Sequence, residues 1–333
     1  MEILSHILGI TFPFFSLVLC GYAAVRTRFV STDAIPGLNV FVLYLALPAM
    51  LFRFAAETPI ASLMDTGTAL TYLLCALAML GFTVLTTRRG PIGWNDASFG
   101  ALVTAFPNTG FLGVPLLVAM LGPRAAAPAI VALSVDMVLT SSLCIATSRL
   151  ERQAGQAAGA SVTQALRGIA VNPLPWSILL GSLSSGLALV PPAPMRQVVT
   201  LLAQSASPVA LFTLGCMLAR PSIRRTAALG TSTKVHSDVG RLIAYKLVLH
   251  PLLVLLAGRA AIKVGVPLDA YSAMVLVMVA ALPSASNVPV LAERFGADGG
   301  RLARIVMGST VAAFVSFSIV AMTVVPTTLF RPD

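Results

Sequence analysis

The sequence predicts an all-α membrane protein in which ten transmembrane helices form two inverted repeats of five. Of its 333 residues, 57% are hydrophobic and only 10% are charged, and the mean hydropathy is +0.91. A water-soluble domain of this length does not have that composition. Apolar stretches of about 20 residues, the length needed to cross the hydrocarbon core, recur along the chain. Two of these stretches contain prolines and glycines that a straight helix does not accommodate.

Ten spans, each placed to within a few residues, account for the apolar stretches. The first five spans cover residues 5–25, 36–56, 66–87, 97–121 and 125–147. The second five cover residues 172–190, 197–219, 241–263, 270–292 and 303–326. The chain is thereby divided into a first repeat at 1–147, a polar linker at 148–170 that is expected on the cytoplasmic side, and a second repeat at 171–333.

The net charge of +10 is explained by membrane topology rather than by a nucleic-acid partner. The basic residues form short clusters between apolar stretches, without the aromatic and basic stripe of a nucleic-acid surface. Of the 22 Lys and Arg residues, 15 fall on one side of the predicted membrane, six fall on the other, and Lys246 lies inside span 8. Because the side richer in Lys and Arg faces the cytoplasm, a position in the inner membrane with both termini outside is expected.

The two halves of the chain carry matching prolines, glycines and phenylalanines at nearly constant separations. The pairs separated by 160 residues are Pro13 and Pro173, Gly21 and Gly181, Pro48 and Pro208, and Phe52 and Phe212. The pairs separated by 174 residues are Pro115 and Pro289, and Gly122 and Gly296. A constant separation over two spans indicates a repeat. Because each half has an odd number of spans, the second copy enters the membrane upside down.

The breaks in spans 4 and 9 predict where a transported molecule would bind. The helix-breaking prolines are Pro107, Pro115, Pro283 and Pro289. Since proline lacks an N–H group, these four residues are expected to free the carbonyls of Val103, Phe111, Val279 and Ala285. Backbone that is opened at membrane depth requires protein or a water-filled cavity to supply its partners. Two broken helices in corresponding halves therefore predict a transport site near the middle of the membrane.

Six short motifs, in this order and spacing, identify a family that the chain resembles. They are Leu47-Pro-Ala-Met-Leu-Phe52, Pro107-Asn-Thr-Gly-Phe-Leu-Gly-Val-Pro115, Asn172-Pro-Leu-Pro-Trp176, Ser207-Pro-Val-Ala-Leu-Phe-Thr-Leu-Gly215, His250-Pro251 and Pro283-Ser-Ala-Ser-Asn-Val-Pro289. Over nearly its whole length, the chain resembles the auxin efflux carrier family, which includes bacterial organic-acid permeases and plant auxin exporters. The short central linker lacks the long loop of the plant members and argues against auxin as the substrate.

The resemblance implies a fold similar to that of sodium/proton antiporters and bile-acid symporters, in a homodimer. Spans 1, 2, 6 and 7 would form a scaffold. Spans 3–5 and 8–10 would form a mobile transport part that contains the two broken helices. The implied function is secondary active transport of a small organic anion similar to malonate or malate, by alternating access. A passive channel and a ligand sensor on the same fold remain alternatives.

Polar residues at the two breaks are the candidates for substrate binding. They are Asn108, Thr109 and Gly110 in span 4, and Ser284, Ser286 and Asn287 in span 9. Amide and hydroxyl groups can donate hydrogen bonds to a carboxylate, and the amino-terminal end of a half-helix attracts an anion. The alternative is that these side chains only replace the partners that the broken backbone has lost.

Three ionisable residues inside the spans are candidates for ion coupling. Asp136 lies in span 5 and Lys246 in span 8, and His250 follows Lys246 by one helical turn. Charged residues inside a membrane are costly and are functional candidates for that reason. Symport with a proton or a sodium ion would use this group. A fixed structural ion pair remains open for Asp136 and Lys246, and for His250 a helix-mending or packing role beside Pro251 is favoured.

The motifs of enzymes and of ATP-driven pumps are missing from the sequence. It contains neither a G-x-S-x-G stretch around an intramembrane serine nor an H-E-x-x-H stretch, and Asp136 has no second intramembrane carboxylate with which to share a proton. It also contains no G-x-x-x-x-G-K-[ST] loop for nucleotide phosphates. The sequence therefore predicts a protein that is not an enzyme, has no cofactor or metal, and draws its energy from an ion gradient or the membrane potential.

Overall fold

The computed structural model describes residues 2–88, 92–149, 173–189, 191–219 and 238–325. In these ranges the chain is helical apart from short connections and one isolated β-bridge. The predicted linker at 148–170 falls outside the described residues except for its first two positions.

Twelve helices of more than one turn occupy the described ranges. They are α1 Glu2–Arg26, α2 Thr32–Glu57, α3 Thr66–Thr87, α4 Trp94–Ala105, α5 Thr109–Leu121, α6 Pro123–Ser148, α7 Pro173–Gly186, α8 Ala193–Leu218, α9 Val239–Lys263, α10 Ala270–Ala280, α11 Val288–Arg294 and α12 Gly299–Val324. A single-turn helix, Ile60–Leu63, precedes α3.

Helices lie over every one of the ten predicted spans. Six helical segments in the described part of the chain are long and apolar enough to cross a membrane, namely α2, α6, α8, α9, α12 and α3 taken together with the turn before it. The chain is therefore a multi-pass membrane protein. Predicted spans 4 and 9 are each divided into two helices, α4 with α5 and α10 with α11, at the two proline-containing stretches.

The chain separates into two compact units. The first consists of residues 1–66, 109–133 and 172–221, so that it contains α1, α2, α5, α7, α8 and the start of α6. The second consists of residues 67–108, 134–171 and 222–333, and it contains α3, α4, the rest of α6 and α9 to α12. The boundary after Asn108 places the two halves of the broken fourth span in different units.

Glycines allow the helices of the first unit to approach each other closely. A Cβ atom added to Gly21 of α1 would lie 1.9 Å from the carbonyl oxygen of Phe212 of α8. A Cβ atom added to Gly181 of α7 would lie 2.5 Å from the carbonyl oxygen of Phe52 of α2. Small residues permit this kind of backbone contact between membrane helices. The two contacts are equivalent, because each joins a glycine of one half of the chain to a phenylalanine of the other. Gly21 corresponds to Gly181 and Phe52 to Phe212, each pair being separated by 160 positions.

A buried arginine joins three helices at one end of the second unit. Arg301, at the start of α12, is 1% exposed and forms an ion pair with Asp238, just before α9. Its Nη1 donates a hydrogen bond of 2.8 Å to the carbonyl oxygen of Asp96 in α4. Arg301 is one of the 15 basic residues on the richer side and was predicted in the loop before span 10, whereas the structure places it inside α12 and buried. The carboxylate of Asp238 and the carbonyl of Asp96 compensate for its burial.

Candidate functional site

The two broken helices of the second unit are joined through their backbones. α4 ends at Ala105 because Phe106, which precedes Pro107, adopts an extended conformation with φ −97° and ψ 102°. Pro107 then forms an antiparallel β-bridge with Ser284, which follows α10. The N–H of Asn108 donates to the carbonyl of Pro283 at 2.8 Å, and the N–H of Ala285 donates to the carbonyl of Phe106 at 3.0 Å. Each break therefore supplies hydrogen-bond partners to the other.

The expectation that the second break frees two carbonyls is wrong. The carbonyl of Val279 accepts a hydrogen bond of 3.1 Å from the N–H of Leu282, and the carbonyl of Ala285 accepts one of 3.4 Å from the N–H of Val288. In each case the residue just before the proline supplies the N–H group, which reaches a carbonyl three positions earlier in the chain.

Three of the predicted substrate residues have buried polar atoms without a hydrogen-bond partner among the described residues: Asn108 and Ser284 at the joined breaks, and Thr109, through Oγ1, at the start of α5. Asn108 is 2% exposed and Ser284 is fully buried. Asn108 Nδ2 and Ser284 Oγ have no hydrogen-bond partner among the described residues, although the N–H of Ser284 donates to Ser309 Oγ at 3.2 Å. A buried polar group without a partner costs about 1–3 kcal/mol. Two such groups at one bridge indicate a place where a ligand or water supplies the missing partner.

The remaining predicted substrate residues have different environments. Ser286 is buried, whereas Asn287 is exposed and lies immediately before α11. Thr109 and Gly110 are buried at the start of α5 and belong to the first unit. The backbone pairing sets Ser284 opposite Pro107 and Pro283 opposite Asn108, so that Asn108 and Ser284 lie at neighbouring positions of the bridge.

Asp136 is buried and is held by a tyrosine from a neighbouring helix. The hydroxyl of Tyr72 in α3 donates a hydrogen bond of 2.7 Å to Oδ2 of Asp136, and neither side chain is exposed. Asp136 begins a widened, π-helical turn of α6, Asp136–Thr140, and its carbonyl accepts a hydrogen bond of 2.8 Å from Ser141 Oγ. Such turns occur often at functional sites. Asp136 is therefore held by two hydrogen bonds, one at Oδ2 of its carboxylate and one at its backbone carbonyl.

Lys246 and His250 form a second buried group on α9. Lys246 Nζ lies 3.0 Å from His250 Nδ1 and donates to the carbonyl of Ala280 at 3.0 Å. Lys246 lies in another π-helical turn, Tyr245–Leu249, which the N–H of His250 closes on the carbonyl of Tyr245. Ala280 is the last residue of α10. The ammonium group therefore sits at the carboxyl-terminal end of a half-helix, where the helix dipole favours a cation.

Tyr72 lies between the two groups. Its ring is tilted against the ring of His250, with 6.2 Å between the centroids. Asp136 and Lys246 do not form a direct ion pair: Asp136 has Tyr72 as its partner, and Lys246 has His250 and Ala280. The roles of the three ionisable residues stay predictions.

Tyr72 is not among the site residues predicted from the sequence. A tyrosine in an apolar span carries no charge at neutral pH, so it gives none of the signal that drew attention to Asp136 and Lys246. The available signal was weaker: a buried tyrosine hydroxyl needs a hydrogen-bond partner. Only the structure shows that this partner is the carboxylate of Asp136, which lies 64 positions away in the chain.

Comparison with known proteins relates nearly the whole chain to membrane transporters. A family model described as "Membrane transport protein" matches residues 6–321. The "Putative malonate transporter" of Rhizobium meliloti (strain 1021) is 31% identical over 301 residues, which are 88% of this chain and 88% of that protein. The "Uncharacterized transporter YfdV" of Escherichia coli (strain K12) is 27% identical over 298 residues, which are 88% of this chain and 89% of that protein.

Plant relatives match a shorter part of the chain. The "Probable auxin efflux carrier component 1d" of Oryza sativa subsp. japonica is 32% identical over 127 residues, which are 37% of this chain and 22% of that protein. The similarity to plant auxin carriers is therefore confined to part of the fold, whereas the similarity to the two bacterial transporters covers most of it.

Proposed function

Since this chain belongs to the membrane transport protein family, which also contains the auxin efflux carriers, we propose that it moves a small organic anion across the inner membrane as a secondary active transporter. The observation that carries the proposal is the joined pair of helix breaks with the unpaired polar atoms of Asn108 and Ser284. Irregular backbone at membrane depth, lined by unpaired donors, is typical of transporter substrate sites. The chain is a carrier and not an enzyme in this proposal.

A malonate-like or malate-like carboxylate is the proposed substrate. The name of the Rhizobium meliloti relative supports malonate as the first compound to test. Asn108 Nδ2 is a donor, and the hydroxyl of Ser284 can also donate, so the two together suit the oxygens of a carboxylate. Ser286, Asn287, Thr109 and Gly110 stay candidates for further contacts as the substrate moves through the site.

Alternating access is the proposed mechanism, on a fold of ten spans arranged as two inverted repeats. The exchange of equivalent residues between the Gly21–Phe212 and Gly181–Phe52 contacts supports a pseudo-two-fold relation within the first unit. Spans 1, 2, 6 and 7 would form the scaffold and the remaining spans the transport part, with two copies of the chain forming a dimer. Asp136, Lys246 and His250 would couple transport to a proton or, less directly, to sodium.

Uptake by proteoliposomes tests this proposal. Liposomes that contain the purified chain are supplied with labelled malonate, malate, acetate or succinate under separately imposed pH, sodium and potential gradients. We expect concentrative uptake of at least one dicarboxylate, and Asn108→Ala and Ser284→Ala to raise its KM about tenfold, the effect of losing one hydrogen bond of about 1.4 kcal/mol to a charged ligand.

The control variant is Thr86→Ala, whose exposed hydroxyl bonds only to carbonyls of its own helix. It should transport like the wild type. Wild-type kinetics in both site variants would refute the assigned site. Uptake that only equilibrates the substrate would favour a passive channel, and binding without uptake would favour a ligand sensor.

A further inference from the structure

Four buried side chains in the second unit divide into two pairs with separate partners. Tyr72 and Asp136 form one pair through a hydrogen bond of 2.7 Å. Lys246 and His250 form the other, with Nζ and Nδ1 3.0 Å apart. All four residues are fully buried. A buried carboxylate and a buried ammonium group gain most by pairing directly, so the absence of a direct pair between Asp136 and Lys246 requires a physical reason.

The hydrogen-bond geometry of each pair limits its charge. A lysine ammonium group has no lone pair, so a hydrogen bond to His250 requires Nδ1 to accept and the imidazole to be neutral. If Lys246 is neutral instead, His250 can carry the proton and donate it through Nδ1. In either case the Lys246–His250 pair holds one positive charge and not two. The hydroxyl of Tyr72 has a single proton, which it donates to Asp136 when the carboxylate is ionised.

We propose that Tyr72 is a positioning residue that keeps Asp136 apart from Lys246, so that each pair binds and releases a coupling proton on its own during transport. Its hydroxyl holds Oδ2 of Asp136, while Oδ1 is buried without a hydrogen-bond partner among the described residues and is the oxygen left to bind a proton. Its ring lies against His250 and limits the directions in which that imidazole can turn. One residue of α3 thereby positions a proton-binding group on α6 and another on α9.

The surroundings of Tyr72 fit this role. The titratable groups beside it are Asp136 from α6, His250 from α9 and Cys75 from the next turn of α3 itself, and Lys246 lies behind His250. The carbonyl of Ala280 fixes Lys246 from the other side. Because Ala280 ends α10, a change in the charge of the Lys246–His250 pair acts directly on the half-helix that leads into the break at Pro283. This connection relates proton binding to the substrate site.

The inference rests on the proposed transport function, and its test is arranged to separate the two. Tyr72→Phe removes the hydroxyl and retains the ring against His250. We expect this variant to lose about tenfold in uptake driven by a pH gradient and to shift the pH profile of uptake, while substrate exchange at equal pH and the KM retain wild-type values. Tyr44→Phe, at an exposed position of the first unit, is the matched control and should behave as wild type.

A double variant tests whether Tyr72 acts through the carboxylate. Asp136→Asn combined with Tyr72→Phe should lose no more pH-driven uptake than Asp136→Asn alone. Infrared titration of the purified protein without substrate provides a second measurement, in which the carboxyl band that disappears in Asp136→Asn should change its pH dependence in Tyr72→Phe. Additive losses, or an unchanged carboxyl band, would overturn the inference.

The outcomes for the wild-type protein distinguish the two proposals. Concentrative uptake that responds to sodium or potential but not to pH would overturn the inference and leave the transport function standing. Loss of exchange in Tyr72→Phe to the same extent as loss of pH-driven uptake would assign the residue to the substrate site or to folding instead. A wild-type protein that transports none of the carboxylates would refute the proposed function, while the infrared result would still decide the role of Tyr72.

Discussion

Lys246 has two partners in the buried site, and neither of them is a carboxylate. A lysine in a membrane span suggests a salt bridge, and the sequence offered Asp136 as the partner. The structure instead shows the ammonium group between an imidazole and the end of a half-helix. This arrangement leaves Lys246 able to lose its proton without breaking an ion pair, because His250 and the carbonyl of Ala280 remain in place.

Removing the ammonium group should destabilise the second unit. In Lys246→Met, the carbonyl of Ala280 loses its side-chain donor and His250 Nδ1 loses its partner, each a cost of about 1–3 kcal/mol for a buried polar group. We expect the midpoint of thermal unfolding in detergent to fall by several degrees. Lys263→Met, at the exposed end of α9, is the control. Equal midpoints for the two variants would contradict this assignment of partners.

Sequence reasoning identified single residues well where the chemistry was local. Pro107 and Pro283 break their helices because a missing N–H acts on the same turn, so the two breaks could be predicted to within a few positions. The partners of Asp136 and the burial of Arg301 depend on helices that are far away in the chain, and no local pattern reports them. The backbone pairing of Pro107 with Ser284 likewise joins distant segments of the chain, and no local pattern indicated it.

At the scale of elements, the Arg301 cluster holds together the ends of three helices. The guanidinium group bonds to Asp238 before α9 and to Asp96 of α4, and it lies against Gly100, where a Cβ atom would be 3.0 Å from Nη2. Asp298, which caps α12, donates its own N–H to Asp96 Oδ1 at 2.8 Å. The helix that leads into the first break, α4, therefore shares one anchor with α9 and α12.

Breaking this anchor should loosen α4, α9 and α12 together. Arg301→Met leaves Asp238 buried without its cation, and loss of one partner of a buried ion pair costs about 3–5 kcal/mol. We expect a large fall in the thermal midpoint, and faster hydrogen exchange at the starts of these three helices, as measured by mass spectrometry. The double variant Arg301→Met with Asp238→Asn should recover part of the loss. A midpoint within one degree of the wild type in Arg301→Met would show that the anchor is unimportant.

The positions of the helices were easier to predict than the irregular turns inside them. Composition predicted helical segments at all ten apolar stretches, because apolar length is a property of each segment alone, and six of the described helices are long enough to cross a membrane. The division of spans 4 and 9 followed from their prolines. The π-helical turns at Asp136 and at Lys246 were not predicted, since a widened turn depends on what packs against it as well as on a nearby proline such as Pro251.

At the scale of the whole molecule, the distribution of basic residues sets the proposed orientation in the membrane. The excess of Lys and Arg on one side predicts that the connection after α1 faces the cytoplasm and that the connection after α9 faces outward. Burial of Arg301 removes one residue from the richer side and leaves the excess in place.

Thiol labelling tests this orientation. In a variant whose native cysteines are replaced by alanine, Arg28→Cys should be protected from a membrane-impermeant maleimide added to intact cells and should react after permeabilisation. Val264→Cys, which is 77% exposed after α9, should react in intact cells. Because the two sites are expected on opposite sides of the membrane, each serves as the positive control for labelling of the other. The reverse pattern would place the termini in the cytoplasm.

The pairing of the two breaks has a consequence for biosynthesis. The carbonyl of Phe106 finds its partner in the N–H of Ala285, so the ribosome must add almost 180 further residues before the first break can be completed. α10, with 11 residues, is about 16 Å long and is too short to cross a bilayer by itself. Until those residues are added, the carbonyl of Phe106 and the N–H of Asn108 lack the partners that they have in the folded protein. A segment from the second half of the chain thus completes the structure that the first break begins.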